Sequence, residues 1–245
     1  MRTLTPAELL AVWESGLQSS PAERAIAFLR TSMDEGADDP GHFPIGGRDA
    51  RLLSLREQIF GPEINGVVSC ARCGESIELR FPVGGLRLPE REVPARLAFD
   101  VDEYSAEFRL PNSFDLAAVQ NAGSRNGESA PRMLLDRCLS RATRSGEPIT
   151  AAELPESVVD AIADTMAAAD PQAEIEFALE CPGCGRQWNE LFDIESFLWD
   201  ELQAWAGRTL LQIHQLASAY GWSEQEILSL SPARRNAYLG LIGEY

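Results

Sequence analysis

The sequence contains no lysine, only two histidines, and no apolar run of the length needed to cross a bilayer. Each shortage removes a class of function. All 21 basic residues are arginine and they face 38 acidic ones, for a net charge of −17. Proteins that grip DNA or RNA draw much of their affinity from neutralising phosphates, so an acidic chain without a long basic stripe is a poor candidate for that task. The same charge favours solubility and discourages nonspecific association. The first ten residues hold one arginine and neither an apolar h-region nor a small-residue cleavage site, so we read no signal peptide and expect a cytoplasmic protein. Gly-x-Ser-x-Gly, His-Glu-x-x-His and phosphate-cradling glycine loops are all missing. Carboxylates are plentiful, but none pairs into assignable acid and base roles, and Asp100, Asp102 and Glu103 read as a solvated loop. No enzyme is expected.

What is present suits a globular chain. At 245 residues, with 44% hydrophobic and 24% charged, it can bury a substantial core in one large domain or two small ones. Thr5-Pro6-Ala7-Glu8 joins an N-cap, a proline at the first helical position and a capping-box glutamate, so residues 5–30 read as helical, with a break at Ser20-Pro21. Residues 33–48 are rich in Gly, Pro and Asp and read as a loop. Asp49 to Phe60 reads as a helix stopped by Gly61-Pro62. Residues 97–110 predict two strands, 112–120 and 131–143 two helices, and 154–169 a third. From Asp193 onward apolar residues recur at helical spacing, with Gly207 a candidate kink, Gly221 a C-cap, and Ser223 and Ser231 the caps of two short final helices.

The five cysteines carry the chemistry. Cys70-Ala71-Arg72-Cys73-Gly74 and Cys181-Pro182-Gly183-Cys184-Gly185 repeat one local pattern. Cys-x-x-Cys lets two thiolates from one tight turn reach the same tetrahedral ion, and the following glycine supplies the positive φ that such a turn needs. Residues 76–81 after the first pair and 174–179 before the second alternate polar and apolar with period two, as half-buried strands do. Two such knuckles complete a closed four-cysteine site for one structural Zn2+ held by Cys70, Cys73, Cys181 and Cys184. Iron in the same site, disulfides and a redox dithiol are the competing readings. A cytoplasmic setting argues against disulfides, and the neighbouring strands against a redox pair. The 107 residues between the knuckles exceed the usual spacing of about 15–20, which an inserted domain would explain. Cys138 reads as a buried free thiol.

These elements predict an α+β fold in four parts. Residues 1–62 form an N-terminal helical region, and 63–83 with 172–193 a discontinuous zinc-ribbon-like β module. Residues 84–171 are a small α+β insertion, and 194–245 a C-terminal helical region. Outside the cysteines, His214 reads as a packed helix residue, with a fifth-ligand role or pairing with a carboxylate as the sharper alternatives. Trp188, Phe192, Phe197, Trp199 and Trp205 should pack the long helix onto the zinc module. Trp199 is offset from the main stripe and is a candidate interface residue. Arg234-Arg235 either answers Glu224 and Glu226 locally or meets a partner.

Several segments resemble a known family. His214-x-Leu216-Ala217-x-x-Tyr220-Gly221-Trp222-Ser223 and Glu226-Ile227-Leu228-x-Leu230-x-x-x-Arg234-Arg235 are similar to a tail motif of baseplate-associated proteins. These proteins belong to contractile phages and phage-derived contractile injection systems. Phe108-Arg109-Leu110-Pro111-x-x-x-Asp115-Leu116 and Asp170-Pro171-Gln172-Ala173-Glu174-Ile175 resemble the same group, which in turn resembles the T-even phage baseplate hub proteins. The resemblance implies an assembly role through protein partners in a baseplate or tail-hub complex, with Trp199, Trp222, Arg234 and Arg235 as candidate contacts. The alternative is a zinc-ribbon module binding nucleic acid or transcription machinery. It would use Arg132, Arg137, Arg141 and Arg144 along one helix face.

Overall fold

The computed structural model describes residues 1–34, 36–89, 94–122 and 129–242. Three helices come first: α1 (Pro6–Gly16), α2 (Pro21–Ser32) and α3 (Ile45–Phe60). The strands β1 (Glu63–Ser69) and β2 (Ser76–Pro82) follow as an antiparallel hairpin. Next come β3 (Leu97–Val101), β4 (Tyr104–Phe108), α4 (Ser113–Ala122), α5 (Ala130–Cys138), β5 (Leu139–Arg144), β6 (Glu147–Pro148) and α6 (Glu156–Ala169). A second hairpin, β7 (Glu176–Glu180) and β8 (Gln187–Leu191), leads into the long α7 (Ile194–Tyr220) and the short α8 (Glu224–Ser229) and α9 (Pro232–Ile242). The class is α+β, as the sequence predicts.

Local chemistry sets many of the boundaries. At Thr5, Ser20 and Ser223 a hydroxyl accepts the N–H three residues on, while that residue's glutamate accepts the cap's own N–H. Asp193 caps α7 by accepting from Glu195 and Ser196, and Gly221 ends it in the left-handed region at φ 70°. The helix runs through Gly207 without interruption. Two predictions need correction. α3 begins at Ile45, not Asp49, because the Asp170 carboxylate, distant in sequence, accepts the Gly46 N–H at 2.8 Å. The 131–143 helix stops at Cys138, and the chain turns into β5, which pairs antiparallel with β4. Arg141 and Arg144 therefore lie on a strand, and no single helix face carries the four arginines.

Two cores organise these elements, and a third lies at the C-terminus. Leu9, Val12, Phe28, Leu29, Leu52, Leu55, Ile64, Val83, Leu198 and Leu202 join the first three helices, the base of the first hairpin and the start of α7. Phe99, Phe108, Leu135, Val158, Val159 and Ile162 enclose a separate core under the four-stranded sheet β3-β4-β5-β6. Leu10, Ala206, Ile213, Leu216, Ile227 and Leu228 seat the last helices against α1 and α7.

The segment holding the second core is pinned to the first by motif residues. Arg109 and Arg137 close on the buried Asp115 carboxylate, the nearest contact being 2.5 Å, which locks the turn from β4 into α4. Gln172 accepts the Leu88 N–H at 2.7 Å and donates to the Leu86 carbonyl at 3.1 Å. At Gly46 an added Cβ would overlap the Asp170 carboxylate and the Ala173 backbone nitrogen. We expect Gly46→Ala to lower stability by about 2–3 kcal/mol in chemical denaturation, the usual scale of overpacking against backbone.

Candidate metal centre

Each cysteine pair forms the turn of a hairpin, and the two turns share one geometry. In the first, the Cys70 N–H donates to the Glu75 carbonyl at 2.9 Å and the Gly74 N–H to the Cys70 carbonyl at 2.8 Å. In the second, Cys181 donates to Arg186 at 2.8 Å and Gly185 to Cys181 at 2.9 Å. Gly74 and Gly185 stand at φ 76° and 69°, where a side chain would be strained. Both glycines thus have the positive φ that the sequence predicts.

Folding brings the turns together across more than a hundred residues. The Sγ atoms of Cys70 and Cys184 lie 3.7 Å apart, those of Cys73 and Cys181 3.5 Å, and all four fall within 4.8 Å of one another. A tetrahedron of sulfurs around an ion with bonds of about 2.3 Å has edges of about 3.8 Å, so the donor set fits one metal ion. Cys70 and Cys181 are buried, Cys184 is half-buried and Cys73 is exposed, which puts the centre at the hairpin tips, open to solvent on one side.

The same crowding splits the proton affinities of the thiols. Backbone N–H groups of Arg72 and Cys73 aimed at its sulfur lower the Cys70 thiol to about 6. The Glu75 N–H would lower Cys73 too, but the Cys181, Cys184 and Cys70 sulfurs crowding it push it up to about 12. Four thiols this close share their protons unevenly until a cation sits among them.

Below the tips the hairpins meet through aromatic rings. Phe81 on β2 and Phe177 on β7 pack at 4.6 Å between centroids, and both touch Phe192, at 5.9 and 5.8 Å. Phe192 then meets Phe197 of α7 at 5.5 Å. The Glu75 side chain lies against Gly183, so the two turns also abut directly. Period-two alternation makes these faces apolar; their pairing across two separate hairpins has no local trace in the sequence.

The remaining candidates fall elsewhere. Neither histidine joins the cysteine cluster: His214 is exposed on α7, contrary to the packed residue expected, and His42 packs edge-on against Phe114 at 4.9 Å. Cys138 is a buried free thiol, pushed up to about 11 by burial. Trp199 is 6% exposed, with Gly16 beneath its ring and the Arg24 guanidinium 4.1 Å above it. It packs in the core rather than standing exposed at an interface. Local pairing of Arg234 and Arg235 with Glu224 or Glu226 is not found among the described residues, and Arg235 is buried. Arg132 and Arg137 are already engaged, by Glu156 and Asp115.

Sequence reasoning missed a buried ionic group that joins α3 to α7. Arg48 of α3 contacts Asp49 at 2.8 Å and Glu195 of α7 at 2.9 Å, all three nearly out of solvent. Desolvation raises Asp49 to about 6 and Glu195 to about 7, and Asp193 adds like charge to both. A helix-opening glutamate reads in sequence as a solvated, dipole-favoured acid, so Glu195 gives no warning of burial.

Taken together, these features define an α+β protein in which four thiols able to hold a metal ion tie two distant hairpins at a shared tip. Among known families, the model described as T4 bacteriophage base plate protein matches residues 8–199, and the chain belongs to that family. The matched span contains all four cysteines, the Arg109–Asp115 turn and the Asp170–Gln172 pins, whereas the C-terminal motif lies beyond it. No curated protein and no solved structure matches the chain.

Proposed function

We propose that the chain is a zinc-clasped structural or assembly subunit of the baseplate of a contractile, phage-like tail, in a phage or in an injection system derived from one. The single observation that carries this reading is the four-cysteine cluster inside the span matched to the baseplate family. Cys70, Cys73, Cys181 and Cys184 would hold Zn2+, a d10 ion content with four sulfurs in a tetrahedron. Four protein ligands leave no open position for water or substrate, so the ion serves the fold. On this reading residues 63–83 and 172–193 are one discontinuous zinc-ribbon module and 84–171 an insertion whose ends the metal holds together. The protein acts in the cytoplasm of the producing cell, within the assembling particle, through protein contacts that include Trp222, Arg234 and Arg235.

Nothing favours the nucleic-acid alternative: its arginines are split between a helix and a strand, and Arg132, Arg137 and Arg144 are bound to carboxylates. Deleting the gene is expected to abolish complete baseplates, seen by electron microscopy as missing or unsheathed tails. Normal numbers of full-length, contracting particles from the deletion strain would refute the assembly role.

A further inference from the structure

The C-terminal helices bury hydrogen-bond donors that nothing described in the chain answers. Arg235 on α9 is 4% exposed, and its Nε and Nη1 have no partner among the described residues. Burial lowers its pKa, with no carboxylate opposing that effect. A buried, unpaired guanidinium is among the least favourable groups a fold can contain, and a chain with 38 acidic residues has no shortage of acids to supply. The Glu226 carboxylate of α8 is closed onto Ser223 by bonds of 2.8 and 2.7 Å. Arg234, exposed beside it, forms no ion pair among the described residues.

An aromatic group stands one turn further along α9. Tyr238 meets Trp222 edge-on at 4.8 Å and Tyr220 at 5.6 Å, and Trp222 stacks on Tyr220 at 4.7 Å. Tyr220 is 37% and Leu241 48% exposed. Trp, Tyr and Arg clustered on one small surface are the composition of binding hot spots.

The geometry points to this end of the C-terminal bundle as the docking surface for a separate protein whose segment presents one Asp or Glu carboxylate among apolar side chains. The carboxylate takes Arg235 by way of Nη2, the guanidinium nitrogen not sealed off, with Arg234 alongside. The apolar residues pack on Trp222, Tyr238 and Leu241. Charge complementarity selects the carboxylate, and a net charge of −17 on every copy opposes self-association as the source of it. The inference rests on the assembly reading above and names the chemistry of the partner.

The test places a photoreactive benzoylphenylalanine at position 238 in cells making the particle. Mass spectrometry of the cross-linked peptides is expected to find a different particle protein, at a segment holding Asp or Glu. A cross-link to a second copy, or none, overturns the proposal. Arg235→Leu supplies an independent arm. It should raise the Tm of the isolated chain by about 2–6 °C, because an unpaired buried charge is removed, while lowering the yield of complete particles by at least about tenfold. A lowered Tm would make Arg235 a structural residue, and an unchanged yield would remove it from docking. Normal particles in the gene-deletion strain would instead sink the assembly reading itself, so the two failures are distinguishable.

Discussion

On the zinc-clasp reading, Cys181→Ser is expected to strip the protein of its metal and to release both hairpins, while the helical core around Phe28, Leu52 and Leu198 stays formed. A two-stranded hairpin is marginal in water by itself, and beyond Ile64, which sits in the helical core, each hairpin here buries only one face, part-way. Beneath the tips the contact between hairpins is carried by Phe81, Phe177 and Phe192. A structural zinc contributes about 10–16 kcal/mol of apparent binding free energy in small zinc peptides, comparable with the whole stability of an ordinary domain. Even after discounting metal affinity of the unfolded thiols, losing it should cost about 4 kcal/mol or more. That corresponds to a fall of about 10 °C in Tm for a chain of this length. Limited proteolysis should then cut within 63–82 and 176–191, with far-UV helix signal nearly retained. A chelator should reproduce the effect in the unsubstituted protein. Metal loss with unchanged Tm and unchanged protease resistance would contradict the clasp.

Arg48→Met should be the most damaging single change outside the cysteines. The substitution keeps the volume and removes the nearest cation from Asp49 and Glu195, which are 8% and 7% exposed. Breaking a buried ionic group from one side costs about 3–5 kcal/mol, and this group ties α3 to α7. The loss is pH-dependent, and its sign follows from the raised acids. With folded-state values of about 6 and 7, both bind protons more readily in the folded than in the unfolded chain. They therefore favour folding most below about pH 4, and that contribution is lost progressively as pH rises toward 6 and 7. The unsubstituted protein should accordingly gain stability between pH 8 and pH 5, and the Arg48→Met penalty should shrink over the same range as the carboxylates neutralise. Denaturant melts at pH 5, 6.5 and 8 measure both. A penalty that is flat with pH would show that Arg48 acts through packing alone.

What the sequence discloses depends on how far apart the interacting groups lie along the chain. The knuckles are legible because all they need, two cysteines and a glycine at fixed offsets, sits within five residues, and the same holds for the caps at Thr5, Ser20 and Ser223. The α+β class follows from switches between period two and helical spacing. The missed features are those set by distant partners. Gly46-Gly47 has low helix propensity and reads as loop, yet the Asp170 carboxylate starts a helix there. Residues 139–144 follow a strong helix without a break, and pairing with β4 makes them a strand. Trp199 looks offset on a helical wheel of α7 alone, but α1 and α2 cover that side through Gly16 and Arg24. Arg235 reads as one of a surface pair and is buried by the bundle it belongs to. In the cysteine site itself, spacing discloses the four clustered thiols; the facing of the two hairpins through Phe81 and Phe177 emerges only in the fold.

Zinc-edge X-ray absorption on the purified chain decides whether the four thiols hold the ion. One zinc per chain is expected, surrounded by four sulfur atoms at about 2.3 Å with no nitrogen or oxygen in the first coordination sphere. Substoichiometric metal after zinc loading under reducing conditions, or a sphere with fewer than four sulfurs, would contradict it.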